Sequence, residues 1–99
     1  MNASTRKEAR LRSNIVKRLN AYSGFWFVTH ADQYGTGGLP DIIGCYNGRF
    51  VGLEVKLPGK EHTLTQRQSH VLAKITAAGG IGAMVTTVDQ AMDLVFGSP

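Results

Sequence analysis

Ninety-nine residues, 42% of them hydrophobic, suit one domain over 1–99 and leave no room for a second; the core is small enough for self-association to add useful stability. A single cysteine, Cys45, excludes an internal disulfide, scattered His30, His62 and His70 lack zinc-ligand spacing, and without an apolar run near the roughly 18 residues of a membrane span or the core of a secretion signal we expect a soluble, cytoplasmic protein with no membrane partner. The net charge is +4, and six of the eleven cations (Arg6, Lys7, Arg10, Arg12, Lys17 and Arg18) stand in the first 18 residues against one acid, Glu8, a concentration that suits a phosphate backbone and equally a solvated helix face.

Thr5 and Glu8 have capping-box spacing, and Leu11, Ile15, Leu19 and Tyr22 follow at helical intervals, which predicts an amphipathic helix over residues 6–22 stopped by Gly24. Residues 25–30 are aromatic and β-branched enough for a strand, and 31–38, with three glycines, read as a loop. Two further strands, 39–46 and 49–57, flank Asn47-Gly48, a strong signal for a type I′ hairpin turn. Thr65 with Gln68 repeats the capping-box spacing ahead of Val71, Leu72 and Ile75, a second helix ending at Gly79-Gly80. Residues 81–86 read as a buried strand, and Thr87 with Gln90 caps a short last helix. The predicted class is α/β, in the order αβββαβα.

With Asn47 and Gly48 as the loop, residue 46 pairs with 49, 45 with 50, and so on to 41 with 54. Asp41 then lies opposite Glu54 on one face, close enough for two carboxylates to repel, and the strand period returns Lys56 to that face. Two acids and a lysine at one end of a hairpin can offer oxygen ligands to a hard divalent ion, while Lys56 orients or deprotonates a water or neutralises a phosphate. The plainer alternative is a turn aspartate beside an exposed strand face, with Val51, Leu53 and Val55 supplying the core side.

Gly38-Leu39-Pro40-Asp41, twelve residues, then Glu54-Val55-Lys56 resembles the PD-(D/E)XK nuclease signature. Thr65-Gln66-Arg67-Gln68 followed by Ala78-Gly79-Gly80 resembles the virus-type replication-repair nuclease (VRR-NUC) branch, and the likeness spans about residues 6–95. The resemblance implies a restriction-endonuclease-like mixed β-sheet flanked by helices, a Mg²⁺ or Mn²⁺ cofactor and hydrolysis of DNA. It implies that Asp41 and Glu54 are metal ligands, that Val55 lends its carbonyl, that Lys56 acts on the nucleophilic water and that Gln68 reaches back to the site. Stand-alone members of this size resemble dimeric Holliday-junction resolvases used in DNA repair, and viral or prophage origin is what the family suggests.

Glu8 resembles the acid that many such nucleases carry on the first helix, as a further catalytic or metal-binding group. At 100° per residue it falls within the apolar stripe, which turns it toward the sheet or the metal, but an acid at the third position of a capping box needs no other role. Arg6, Arg10 and Lys17 are the candidate phosphate contacts, and Tyr34, Thr36 and Gly38 sit in a loop that either follows a DNA backbone or merely connects. Trp26 reads as core in preference to a base-stacking platform, Cys45 as a buried thiol, His30 as a structural strand-end residue with a phosphate contact or an auxiliary acid as the alternative, and Arg49 and Lys60 as solvated.

Met92, Leu94, Val95 and Phe96 give the last helix more apolar surface than one subunit is expected to bury, which favours a two-fold homodimer; the alternative is that they close the monomer's own core. The function expected is a structure-selective DNA endonuclease acting on branched DNA. A restriction-type, flap or nicking nuclease, and a non-catalytic DNA-binding module, are the alternatives.

Overall fold

Helix α1, Ala3–Tyr22, starts three residues earlier than the sequence pattern predicts. Asn2 is its cap: the Oδ1 accepts from the Thr5 N–H at 2.8 Å and from the Thr5 hydroxyl at 3.0 Å. Thr5 is thereby a donor inside the first turn, so the Thr5–Glu8 capping box does not form. These details come from a computed structural model, which describes residues 2–30 and 37–97.

The remaining elements are β1 (Phe25–Val28), β2 (Ile42–Tyr46), β3 (Arg49–Val55), a 3-10 turn (Glu61–Thr63) that the sequence pattern does not signal, α2 (Gln66–Ala77), β4 (Ile81–Val85) and α3 (Val88–Phe96). Apart from that turn, the order is the predicted αβββαβα. The strands form one mixed sheet in the order β1-β2-β3-β4, antiparallel except for the parallel β3–β4 pair. A parallel pair needs a crossover, and α2 supplies it. Asn47 and Gly48 take φ of 53° and 79°, as a type I′ turn requires, and the predicted register holds from Tyr46↔Arg49 to Ile42↔Leu53.

Side chains alternate across the sheet, and each face has its own cover. On one side Ile42, Val51, Leu53, Val55 and Val85 pack with Ile15 and Leu19 of α1 and Ala91 and Val95 of α3, all at most 7% exposed. Trp26, 4% exposed, joins this core and donates its indole N–H to the Ser23 carbonyl at 2.7 Å. Met92 and Phe96 pack against the same cluster, and Phe96 meets Tyr22, Trp26 and Tyr46. The last helix therefore closes its own core, leaving only Leu94 as an exposed large hydrophobic of that element, and it no longer argues for a partner.

On the other side α2 lies over β3 and β4, where Gly52 and Gly82 are register partners. A Cβ on Gly82 would stand 2.3 Å from the Leu72 carbonyl oxygen, and one on Gly52 would stand 2.8 Å from Ile75 Cδ1. The two missing side chains are what let the helix backbone sink onto the sheet. Among the described residues no helix covers the same face of β1 and β2, and Cys45, expected to be buried, is exposed there.

Candidate active site

The centre forms where β2 begins and β3 ends. Buried Thr29, just past β1, donates its hydroxyl to the Pro40 carbonyl at 2.7 Å, and its N–H to the Asp41 carbonyl at 2.9 Å. Asp41 sits one residue outside β2, and its Oδ2 accepts the Val55 N–H at 2.8 Å. A strand residue projects its N–H and C=O to the same side, so the Val55 carbonyl also points toward the β2 edge. Lys56 continues the ladder on the opposite edge, donating its N–H to Val85.

Glu54 is 3% exposed, on the face that α2 covers. Its Oε2 accepts from Gln68 Nε2 at 3.1 Å and lies 3.9 Å from Lys56 Nζ, while its Oε1 is buried and reached by no N–H or hydroxyl donor among the described residues. Burial is the main cause that pushes the Glu54 acid up to about 8, followed by the charge of Asp41 and a hydrogen bond with it; Lys56 pulls the other way, too weakly to compensate, and Glu8 adds a small upward push. The sequence pairing that put Asp41 against Glu54 thus holds, with Lys56 beside them.

Gln68 resolves its two roles by filling both. Its Oε1 accepts the Thr65 N–H at 2.9 Å, completing the capping box with the Thr65 hydroxyl on the Gln68 N–H, and its Nε2 serves Glu54. One carboxamide both starts α2 and ties it to the buried acid.

Glu8 has no capping role, since the helix is capped by Asn2. It is paired with Arg12 at 3.1 Å with its side chain 31% exposed, near enough to Glu54 to raise that acid's pKa. Among the described residues no three His, Cys, Asp or Glu side chains gather into a metal-binding group. Comparison of the chain with protein-family models, curated proteins and solved structures finds no match.

Of the candidate nucleic-acid contacts, Arg6, Arg10 and Lys17 are exposed along α1. Gly38 adopts φ +81° three residues before Asp41, and Tyr34 and Thr36 lie outside the described residues. His30, with φ 50°, is exposed at the end of β1.

Two residues matter that the sequence pattern does not single out. Thr29 fixes the backbone of Asp41, and a lone threonine at a strand end carries no signal of that. Arg67 lies along the chain leading to Asp41: Cβ atoms on Gly37 and Gly38 would meet its guanidinium carbon at 2.7 Å and its Cγ at 3.0 Å. Two adjacent glycines facing a helix are the only sequence trace. On the β4 side, Met84 is the register partner of Glu54 and borders a groove of about 430 Å³ that also includes Glu61, Thr86, Gln90, Asp93 and Leu94. No helix among the described residues is long and apolar enough to cross a membrane.

Proposed function

We propose that this chain is a metal-dependent nuclease of the PD-(D/E)XK type, close to the VRR-NUC branch, that hydrolyses DNA phosphodiesters at Asp41, Glu54 and Lys56. The observation that carries the reading is the unpartnered, buried Glu54 Oε1 beside a second carboxylate. An acid so placed needs either a proton or a cation, and the Asp41–Glu54 pair with the Val55 carbonyl fits a hard ion that keeps water and phosphate among its ligands. The αβββαβα order and mixed sheet agree with the same reading.

In this reading Asp41, Glu54 and the Val55 carbonyl would hold Mg²⁺ or Mn²⁺, which would supply positive charge and Lewis acidity to the centre. Lys56, with its side chain 12% exposed and its amine 3.9 Å from Glu54 Oε2, orients the attacking water and balances the charge growing on the phosphate. Gln68 keeps Glu54 turned to the centre. Glu8, through its charge, deepens the demand for a cation.

The resemblance extends the proposal to branched DNA and to a two-fold homodimer that presents two centres to opposed strands. Cleavage of labelled duplex, flap, fork and four-way substrates, with Mg²⁺, Mn²⁺, Ca²⁺ or chelator, tests it. Cleavage with Mg²⁺ and Mn²⁺ but little with Ca²⁺ is expected, because Ca²⁺ is larger and a poorer activator of water. DNA binding with no cleavage under any ion would assign the chain to non-catalytic binding modules. Light scattering, with an assay of wild type mixed with Asp41→Asn, tests the dimer.

A further inference from the structure

The part of the sheet face that α2 leaves open, over β1, β2 and the start of β3, carries three exposed phenylalanines. Phe25 is 68% exposed, Phe27 45% and Phe50 47%. The register Phe25↔Cys45↔Phe50 and Phe27↔Ile43 puts all of them on one side of the sheet, and the Phe25 and Phe27 rings are 5.9 Å apart. No acid occurs on β1 or β2, and on β3 the only one is Glu54 at the proposed centre.

Helix α2 forms a wall beside this floor. Arg67 and Val71 face Gly38, Ile75 faces Gly52, and Leu72 lies at Gly82, so the Arg67 flank is the one turned toward β2. Lys74, seven residues after Arg67, falls almost in line with it on the helix surface. Helix α2 contains no acid, and both cations are exposed and without an ion pair among the described residues. Arg67 stands at the Asp41 end and Lys74 near the Phe50 end, where Gly80 meets the Phe50 carbonyl. The groove on the opposite, β4 side carries Glu61 and Asp93 instead, which disfavours phosphate there.

We infer that the Phe25–Phe27–Phe50 floor and the Arg67–Lys74 wall form a trough for a single, unpaired nucleic-acid strand, its bases stacked on the rings and its phosphates along the helix, leading to the centre at Asp41. Flat rings beside a cationic ridge are the features that hold unpaired bases irrespective of sequence. A duplex cannot present its base faces to such a floor. This rests on the nuclease reading and narrows it: the strand is cut where it leaves a duplex or arrives unpaired.

The sole cysteine lies on this floor between Phe25 and Phe50 and is exposed, so the unmodified protein reports on the trough. With Ca²⁺ in place of Mg²⁺, a short oligothymidylate is expected to slow maleimide alkylation of Cys45 several-fold, and a blunt duplex to leave it unchanged. By fluorescence anisotropy, Phe27→Ala and Phe50→Ala each weaken oligothymidylate binding by roughly ten-fold while blunt-duplex binding stays. Lys74→Ala, a surface variant with little folding risk, and Arg67→Ala each flatten the slope of log K against log salt by about 0.7.

Unprotected Cys45, equal losses on single strand and duplex, or parental salt slopes in both surface variants would overturn the trough. So would Cys45 protection that rises with protein concentration in the absence of oligonucleotide, which would assign the rings to a second copy of this chain. Mg²⁺-dependent cleavage by the wild type judges the nuclease reading separately, since cleavage can occur with the trough unused and oligothymidylate can bind without cleavage.

Discussion

The Val55 N–H donates to Asp41 Oδ2 at 2.8 Å, so the peptide following Glu54 holds in place the carboxylate that most strongly repels Glu54. Both acids cannot be ionised together without cost, so the metal-free protein holds a proton at Glu54 up to about pH 8, and that demand for a proton or a cation sets what substitutions at the two acids do.

Asp41→Asn and Glu54→Gln are each expected to lower Mg²⁺-dependent cleavage by at least about a hundred-fold while the protein stays folded. Asparagine keeps an oxygen for the Val55 N–H, and glutamine fills the Glu54 site without charge. In chelator, both variants should melt at or above the wild-type temperature. Full cleavage by either at saturating Mg²⁺ would remove the proposed centre.

Glu54 keeps its proton to about pH 8 when folded, against an ordinary value of 4.5. Between these values the folded state binds more protons at Glu54 than the unfolded one, so the contribution of Glu54 to stability is fully present below about 4.5 and is lost as pH rises toward 8. Urea denaturation of metal-free protein at pH 5, 7 and 9 should show this decline, and Glu54→Gln should flatten it. Mg²⁺ binding should release about one proton at pH 7 and fewer near pH 9, measurable by calorimetry in buffers of different ionisation enthalpy.

Lys56→Ala should lose most of the turnover and retain metal affinity at pH 9, above the Glu54 value of about 8, because Lys56 is proposed to act on water and phosphate and not to coordinate the ion. At pH 7 affinity should drop slightly, because Lys56 lowers the Glu54 pKa. Loss of metal binding at both pH values would make Lys56 part of the ion's support and not a group acting on water and phosphate.

The hairpin and the crossover helix are legible in the sequence because their signals are local. Asn47-Gly48 fixes the turn, the turn fixes the register, and the register puts Asp41 against Glu54; Thr65 and Gln68 announce α2 by spacing alone. The start of α1 is not, because Asn2 and Thr5 both look like caps, and only the bond between them decides which one acts. The exposure of Cys45, the burial of Val95 and the packing of half-buried Phe96 against the core are not legible either, since they depend on which part of the sheet each helix covers. Thr29 and Arg67 act on Asp41 and its approach across the fold, where neither spacing nor periodicity leaves a mark.

Gly82→Ala should destabilise the protein by about 1–3 kcal/mol or more, because the added methyl meets the Leu72 carbonyl, which is backbone and cannot rotate away. Gly52→Ala should cost less, since Ile75 Cδ1 and the Pro40 ring have more freedom to shift. Urea midpoints with unchanged slopes would measure both. Equal effects would mean that α2 does not rest on this pair as described.

Replacing Arg6, Arg10 and Lys17 together with alanine should weaken DNA binding and flatten its salt dependence, by about 0.9 on duplex for every phosphate that is no longer neutralised, with cleavage at saturating DNA retained. A parental slope would show that this face of α1 meets only solvent.

The two-residue turn at Asn47-Gly48 also makes the proposed centre intolerant of changes in length. Asp41 and Glu54 belong to opposite arms of one hairpin, so their meeting depends on the number of residues between them and on little else. A single residue inserted into or deleted from either arm would turn one acid through the sheet toward Ile15 and Leu19, and a charge there would threaten folding as well as chemistry. Twelve residues therefore act as a fixed ruler: their chemistry can vary at the exposed positions, but their count cannot.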